Sequence, residues 1–120
     1  MGQQPAHADA LHLLGLVHAL EGDWPAALGW LDRALAAQPG RTPAVLDRAN
    51  VLLQAGRPRE ALAAYERALA LQADLAPAWF GRGNAQRQLG ERTAALASFE
   101  RVLALQPAHV EAWNSRGITL

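Results

Sequence analysis

The sequence has 120 residues, which suits a single domain, and it is formally neutral, with 11 arginines and no lysine against 11 acidic residues. A balanced charge argues against a nucleic-acid-binding protein, because such proteins carry a basic excess or a basic patch. The absence of cysteine excludes disulfides and thiolate metal sites. No apolar run approaches the roughly 20 residues of a membrane span. No signal peptide is visible, which favours the cytoplasm, and the missing lysine suggests a GC-rich bacterial genome.

Apolar residues at helical spacing, divided by glycine and proline, predict seven helices. Residues 1–7 are predicted to be an N-terminal lead. Gly22 ends the first helix, because glycine takes the left-handed position at a helix C-terminus at little cost. Pro25, Pro58 and Pro77 suit the first turns of later helices. The predicted helices cover approximately residues 7–20, 25–37, 43–55, 58–71, 77–89 and 93–106, and the seventh begins near residue 110.

One pattern recurs at intervals of 34 residues along the chain. It predicts repeats at residues 8–41, 42–75 and 76–109, and the first helix of a fourth repeat at residues 110–120. The positions that recur in register include three glycines, three alanines and one bulky position: Gly22, Gly56 and Gly90, then Ala27, Ala61 and Ala95, then Leu31, Tyr65 and Phe99.

Nearly all of the chain after about residue 6 resembles the tetratricopeptide repeat family, whose unit is a helix-turn-helix of about 34 residues, and the third repeat resembles it most. The matching positions are Trp79, Gly83, Gly90, Ala95, Phe99 and Pro107. The resemblance implies an all-α, right-handed superhelical α-solenoid with three full repeats and one further helix. It also implies that the protein binds a protein or peptide, without indicating which one. No nucleic-acid partner and no cofactor are expected.

The charged and nucleophilic residues do not predict an enzyme. No two histidines are four residues apart on one helix, so no metal site is expected, and the paired carboxylates recur in every repeat instead of marking one position. Gly83 is interpreted as a glycine that lets two helices pack closely. Arginine recurs at positions 48, 82 and 116, and we expect each to pair with the acidic residue of the preceding repeat at position 32, 66 or 100.

In the family that the chain resembles, the first helix of each repeat lines a concave groove. The predicted peptide-binding residues are therefore Asp47, Asn50, Gln54, Phe80, Asn84, Arg87, Gln88 and Asn114. Side-chain amides donate and accept hydrogen bonds, so an asparagine ladder can hold an extended backbone. Alternatively, these amides are solvated surface or cap neighbouring helices. The family's clamp for a peptide carboxylate is incomplete, because no lysine or arginine occupies its positions.

The first repeat contributes Asp9, His12, Leu13, Leu16 and Leu20 to the predicted groove, so its surface is more apolar, and Gly81 is placed on the groove of repeat three. The predicted function is a non-catalytic scaffold that binds a protein segment in this groove. One alternative is the repeat region of a larger bacterial protein such as a protein glycosyltransferase. The other is a self-associating module whose C-terminal end, with Trp113, Ile118 and Leu120, forms a homo-oligomer contact.

Overall fold

The seven predicted helices are present in the computed structural model of the protein, which describes residues 5–120. They are α1 (Pro5–Leu20), α2 (Trp24–Ala37), α3 (Thr42–Gln54), α4 (Pro58–Leu71), α5 (Ala76–Gln88), α6 (Arg92–Leu105) and α7 (Val110–Thr119). Within these residues there is no strand, so the predicted all-α class is confirmed. Helix α1 begins at Pro5, two residues before the predicted start, and residues 1–4 of the predicted lead lie outside the described part of the chain.

Three glycines end the first helix of each helix pair. Gly22, Gly56 and Gly90 have φ angles of 76°, 79° and 79°, in the left-handed region that residues with a β-carbon avoid. The amide N–H of the following residue then donates a hydrogen bond to a carbonyl oxygen in the last helical turn. Asp23 N–H, for example, donates to His18 O at 3.0 Å. This hydrogen bond pairs a carbonyl group that would otherwise be unpaired at the end of the helix. The chain reverses its direction there and enters the partner helix.

The helices pack as the pairs α1–α2, α3–α4 and α5–α6, and each pair packs on the next. The second helix of each pair buries one bulky side chain completely: Leu31, Tyr65 or Phe99. A β-carbon on Gly83 would lie 2.6 Å from Phe99 Cε1, which confirms the prediction that Gly83 allows close helix packing. Gly15 has the same relationship to Leu31, at 2.7 Å from its Cγ.

Successive repeats are also joined by a ladder of ion pairs. Arg48 Nε donates to Asp32 Oδ1 at 2.6 Å, Arg82 pairs with Glu66 at 3.3 Å, and Arg116 pairs with Glu100 at 3.4 Å. These are the pairs that the periodicity predicted. Because the carboxylates are more than half exposed, each pair contributes at most about 1 kcal/mol and serves mainly to hold the repeats in register.

Stacking of the repeats makes an elongated particle whose principal extents are 50, 26 and 21 Å. The first helices of successive repeats touch directly, because α1 contacts α3, α3 contacts α5, and α5 contacts α7. They therefore form one continuous surface along the particle.

Candidate functional site

Two clefts lie along the surface formed by α1, α3, α5 and α7. The N-terminal cleft has a volume of about 710 Å³ and is lined by Leu16, Ala19, Leu20, Trp24, Asp47, Asn50 and Gln54. The C-terminal cleft has a volume of about 440 Å³ and is lined by Leu53, Phe80, Asn84, Arg87, Gln88, Glu111, Asn114 and Ser115. The clefts adjoin at α3, because the consecutive residues Leu53 and Gln54 line one cleft each.

All eight predicted peptide-binding residues line one of these clefts. Asp47, Asn50 and Gln54 lie in the N-terminal cleft, whereas the other five lie together in the C-terminal cleft. The predicted asparagine ladder is therefore divided, with Asn50 and Asn84 in adjoining clefts. The two clefts also differ in chemistry: the N-terminal cleft is bordered by Leu16, Leu20 and Trp24, and the C-terminal cleft mainly by amides and charges.

Asn50 has a structural contact that the sequence did not reveal. It is exposed, but its Oδ1 accepts a hydrogen bond from the hydroxyl group of Tyr65, whose side chain is otherwise buried. Burial raises the pKa of the Tyr65 hydroxyl well above its ordinary range, so this group remains a donor. Gly81 makes room for the ring, since a β-carbon there would lie 2.2 Å from Tyr65 Cζ. Gly81 is consequently buried beneath Tyr65 and does not line the groove as predicted.

Asn84 occupies the corresponding position of the next repeat, where Phe99 replaces Tyr65. A phenyl ring has no hydroxyl group, and no described residue hydrogen-bonds to the half-buried Asn84 side chain. The wall beside it is aromatic, because the Phe80 ring centroid lies 6.0 Å from that of Phe99 and 5.0 Å from that of His109. Asn84 can therefore offer both its amide donor and its acceptor to a ligand.

Arg87 adds a positive charge to the C-terminal cleft. It is exposed and forms no ion pair with any residue from 5 to 120. Glu111 lines the same cleft on α7, so the cleft has one charge of each sign. An acidic group of a ligand would be attracted to the side of the cleft formed by α5.

A polar cluster joins α1 to α3 at the edge of the N-terminal cleft, and the sequence analysis missed it. His12 is buried, with its Nε2 2.6 Å from Asp47 Oδ2. Arg41 Nε donates to His12 Nδ1 at 3.1 Å, and Arg41 also pairs with Asp9. Because Nδ1 accepts, the proton of the neutral imidazole is on Nε2 and is donated to Asp47. The sequence placed Asp9, His12 and Asp47 on the groove, but their mutual pairing was not predicted.

The three apolar residues of the predicted self-association end are exposed but do not all lie on one side of the C-terminal helix. Trp113 is 51% exposed, Ile118 72% and Leu120 69%. Trp113 and Leu120 are seven residues apart and fall on the same side of the helix. Ile118 instead borders a small cleft between α5 and α7 together with Arg87 and Thr119.

The sequence of residues 18–81 matches the tetratricopeptide repeat family, and residues 76–109 match a second description of the same repeat. The chain belongs to the tetratricopeptide repeat family. No curated protein sequence matched the chain. Within residues 5–120 of this tetratricopeptide repeat protein, no helix is long and apolar enough to cross a membrane. Nor do these residues bring together three histidine or carboxylate side chains that could hold a metal ion.

Several solved structures share this fold, and tetratricopeptide repeat domains are among them. The first such domain of Spaghetti (RPAP3), bound to the HSP90 peptide SRMEEVD, has a TM-score of 0.94 and 24% identity over 99% of this chain and 94% of that chain. The first domain of human RPAP3 has a TM-score of 0.92 and 25% identity, covering 97% of this chain and 91% of that chain. MamA has a TM-score of 0.87 and 21% identity, covering 93% of this chain and 61% of that chain. The predicted solenoid of tetratricopeptide repeats is thereby confirmed.

Proposed function

We propose that this protein is a non-catalytic interaction scaffold that binds an extended segment of another protein along the two clefts. The observation that carries the proposal is the placement of three amide side chains and one arginine in a single cleft on the surface of the first helices. Membership of the tetratricopeptide repeat family supports it, because domains of this family generally serve as interaction modules. The bound HSP90 peptide of the Spaghetti domain supports a peptide-like ligand.

The C-terminal cleft suits the backbone of an extended peptide. Asn84, Gln88 and Asn114 each provide a carbonyl acceptor and an amide donor, which can pair with peptide N–H and C=O groups whatever the ligand sequence. Arg87 would add selectivity for an acidic side chain, by a contact that weakens as salt screens it. Phe80 would pack against an apolar part of the ligand.

The N-terminal cleft suits one apolar side chain of the same ligand. Leu20 is 88% exposed, and Leu16 and Trp24 border the same cleft. Burial of apolar surface there would contribute about 25 cal/mol per Å² of surface removed from water. The ligand is therefore an extended segment with an apolar residue at one end and polar or acidic residues at the other.

The experiment starts from peptides selected against the intact protein, whose affinity is then measured by calorimetry for groove variants. We expect the double variant Asn84→Ala with Gln88→Ala to bind about tenfold more weakly, because two hydrogen bonds of about 0.5–1.5 kcal/mol are lost. Gln72→Ala is the matched control, since Gln72 is an exposed amide that lines neither cleft. Unchanged affinity in the double variant would refute the groove assignment.

Self-association through the C-terminal end is a second candidate, favoured by the exposure of Trp113 and Leu120 on one side of α7. An exposed apolar surface of this kind attracts contacts. Light scattering over a concentration series tests it. A mass that stays monomeric at high concentration, and that Trp113→Ala does not change, would exclude this contact.

A further inference from the structure

The Trp79 side chain packs between the second and third repeats, and we call the groups that surround it the tryptophan seat. Its indole N–H donates to Ala73 O at 2.9 Å, and the guanidinium carbons of Arg82 and Arg101 lie 5.5 and 5.6 Å from its ring centroid. Trp113 repeats this arrangement one unit later, where its indole N–H donates to Pro107 O at 2.8 Å. Arg116 there lies 6.0 Å from the ring centroid. The tryptophan seat is thus a recurring feature of the array.

The second repeat has the residues of this seat but no tryptophan. Val45 stands 34 residues before Trp79, and Arg48, Arg67 and Pro39 stand 34 residues before Arg82, Arg101 and Ala73. In place of an indole there is a cleft of about 300 Å³. We call it the Val45 cleft, and its lining residues are Leu35, Val45, Arg48, Glu60, Ala63, Ala64 and Arg67.

The floor of the Val45 cleft is apolar and its walls carry the two arginines. Leu35, Val45 and Ala64 are buried beneath it. Arg67 Nη2 donates to Pro39 O at 3.1 Å, and this carbonyl corresponds to the one that accepts the indole N–H of Trp79. Arg67 therefore shares the acceptor that an indole would use, because a carbonyl oxygen can accept two hydrogen bonds. At the equivalent position of the next repeat, Arg101 lies 5.6 Å from the Trp79 ring centroid.

We propose that the Val45 cleft binds a tryptophan side chain presented by a partner protein, in the position that Trp79 occupies one repeat later. The indole would lie on Leu35, Val45 and Ala64, with Arg48 and Arg67 against its faces. Such contacts between a guanidinium group and an aromatic face are favourable and strengthen when water is excluded. Buried tryptophan and arginine side chains are also the commonest strong contributors at protein interfaces.

The charges around the cleft favour a neutral aromatic group over an ion. Glu60 at the rim is held by Arg57, with both guanidinium-to-carboxylate distances at 2.7 Å. This hydrogen-bonded pairing lowers the pKa of Glu60 and compensates its charge, as Asp32 compensates that of Arg48. The two arginines oppose a cation. An uncharged ring with one N–H donor needs no counter-charge and meets no repulsion.

The Val45 cleft is separate from the proposed peptide groove. Val45 and Arg48 project from the side of α3 opposite to Asp47 and Asn50, given a rotation of about 100° per helical residue. A partner could therefore occupy the groove and the Val45 cleft at the same time. Groove variants such as Asn84→Ala with Gln88→Ala should leave the cleft unaffected, so failure of one proposal does not imply failure of the other.

The test uses N-acetyl-tryptophanamide, which presents the side chain as it occurs within a polypeptide. We expect saturable changes in the NMR amide signals of Leu35, Val45 and Ala64, with a dissociation constant on the order of 1 mM for so small a probe. Val45→Trp fills the cleft with the protein's own indole and should weaken probe binding at least tenfold without unfolding the chain. Absence of saturable changes at these amides, or unchanged binding by Val45→Trp, would overturn the proposal.

Three further arms complete the experiment. Arg67→Gln should weaken binding several-fold, whereas Arg59→Gln, an exposed arginine of α4 outside the cleft, should not. Trp79→Val should create a second probe site with signal changes at Leu69 and Ser98. Free indole should bind no more tightly than the blocked tryptophan. A strong preference for free indole would assign the cleft to a small molecule and contradict the protein partner.

Discussion

The hydroxyl group of Tyr65 donates a hydrogen bond to Asn50 Oδ1, so one residue of the proposed peptide groove also holds its own repeat together. The next repeat has Phe99 and Asn84 at the same positions, and there the asparagine is not hydrogen-bonded by any described residue. Two asparagines that look equivalent in the sequence therefore have different roles, and their substitution should give different results.

We expect Asn50→Ala to lower the free energy of unfolding by about 1–3 kcal/mol, because the Tyr65 hydroxyl loses its acceptor at a buried site. Asn84→Ala should change it by no more than about 0.5 kcal/mol. Urea denaturation followed by circular dichroism measures both. Adding Tyr65→Phe to Asn50→Ala should recover most of the loss, and equal losses in the two asparagine variants would contradict this interpretation.

Tyr65 should remain protonated at high pH. Burial raises its pKa in the folded protein above the value of about 10 for an unfolded chain. The contribution of Tyr65 to the free energy of unfolding is therefore fully present below pH about 10. It decreases as the pH rises further, because only the unfolded state then releases the proton. Tyr65 is the single tyrosine, so tyrosinate absorbance near 295 nm reports it alone. A native titration with a midpoint near 10 would disprove the prediction.

Gly83→Ala should destabilise the protein by about 1–3 kcal/mol, since its β-carbon would lie 2.6 Å from the Phe99 ring. Gly29→Ala is the matched control, because Gly29 lies within α2 and a β-carbon there meets nothing within 4 Å. That variant should stabilise the protein by about 0.5–1 kcal/mol through helix propensity. Thermal denaturation of the pair distinguishes close packing from a general effect of glycine.

Asp47→Ala should destabilise the protein by about 1–3 kcal/mol, although Asp47 lines the groove. The substitution leaves the Nε2–H group of the buried His12 without its acceptor. Gln54→Ala, an exposed residue of the same cleft, should be neutral in the same denaturation experiment. If both variants unfold like the parent protein, the contact between His12 and Asp47 does not stabilise the fold.

The periodic part of this structure was predictable from the sequence, whereas the contacts that occur once were not. Glycine and proline at intervals of 34 residues placed the helices, and the same periodicity predicted the pairing of Arg48 with Asp32. The bonds from Tyr65 to Asn50 and from His12 to Asp47 depend on side chains that no other repeat duplicates. A repeat pattern carries no signal for such contacts, although the single tyrosine among apolar residues at one position marked the second repeat as different.

The same limit explains why the surroundings of Gly81 and Ile118 were not predicted. Gly81 has a position that usually faces the groove, but the Tyr65 ring from the preceding repeat covers it. Ile118 was grouped with Trp113 by its apolar character, yet it lies beside Arg87 and Thr119. In both cases the neighbouring repeat decides the environment of the residue, and the periodicity of one helix does not describe that neighbour.

Within residues 5–120, no helix contacts another that is more than two helices away along the chain, and α2, α4 and α6 contact only their immediate neighbours. Loss of α7 would therefore leave the packing of α1 to α4 untouched, and the energy of opening should rise from the ends toward the middle. The four tryptophans lie in α2, α5 and α7 and so sample both ends and the interior. In variants that keep a single tryptophan, the emission of Trp113 should change at a lower urea concentration than that of Trp79. A single melting temperature for the whole protein would not show that the C-terminal helix opens first.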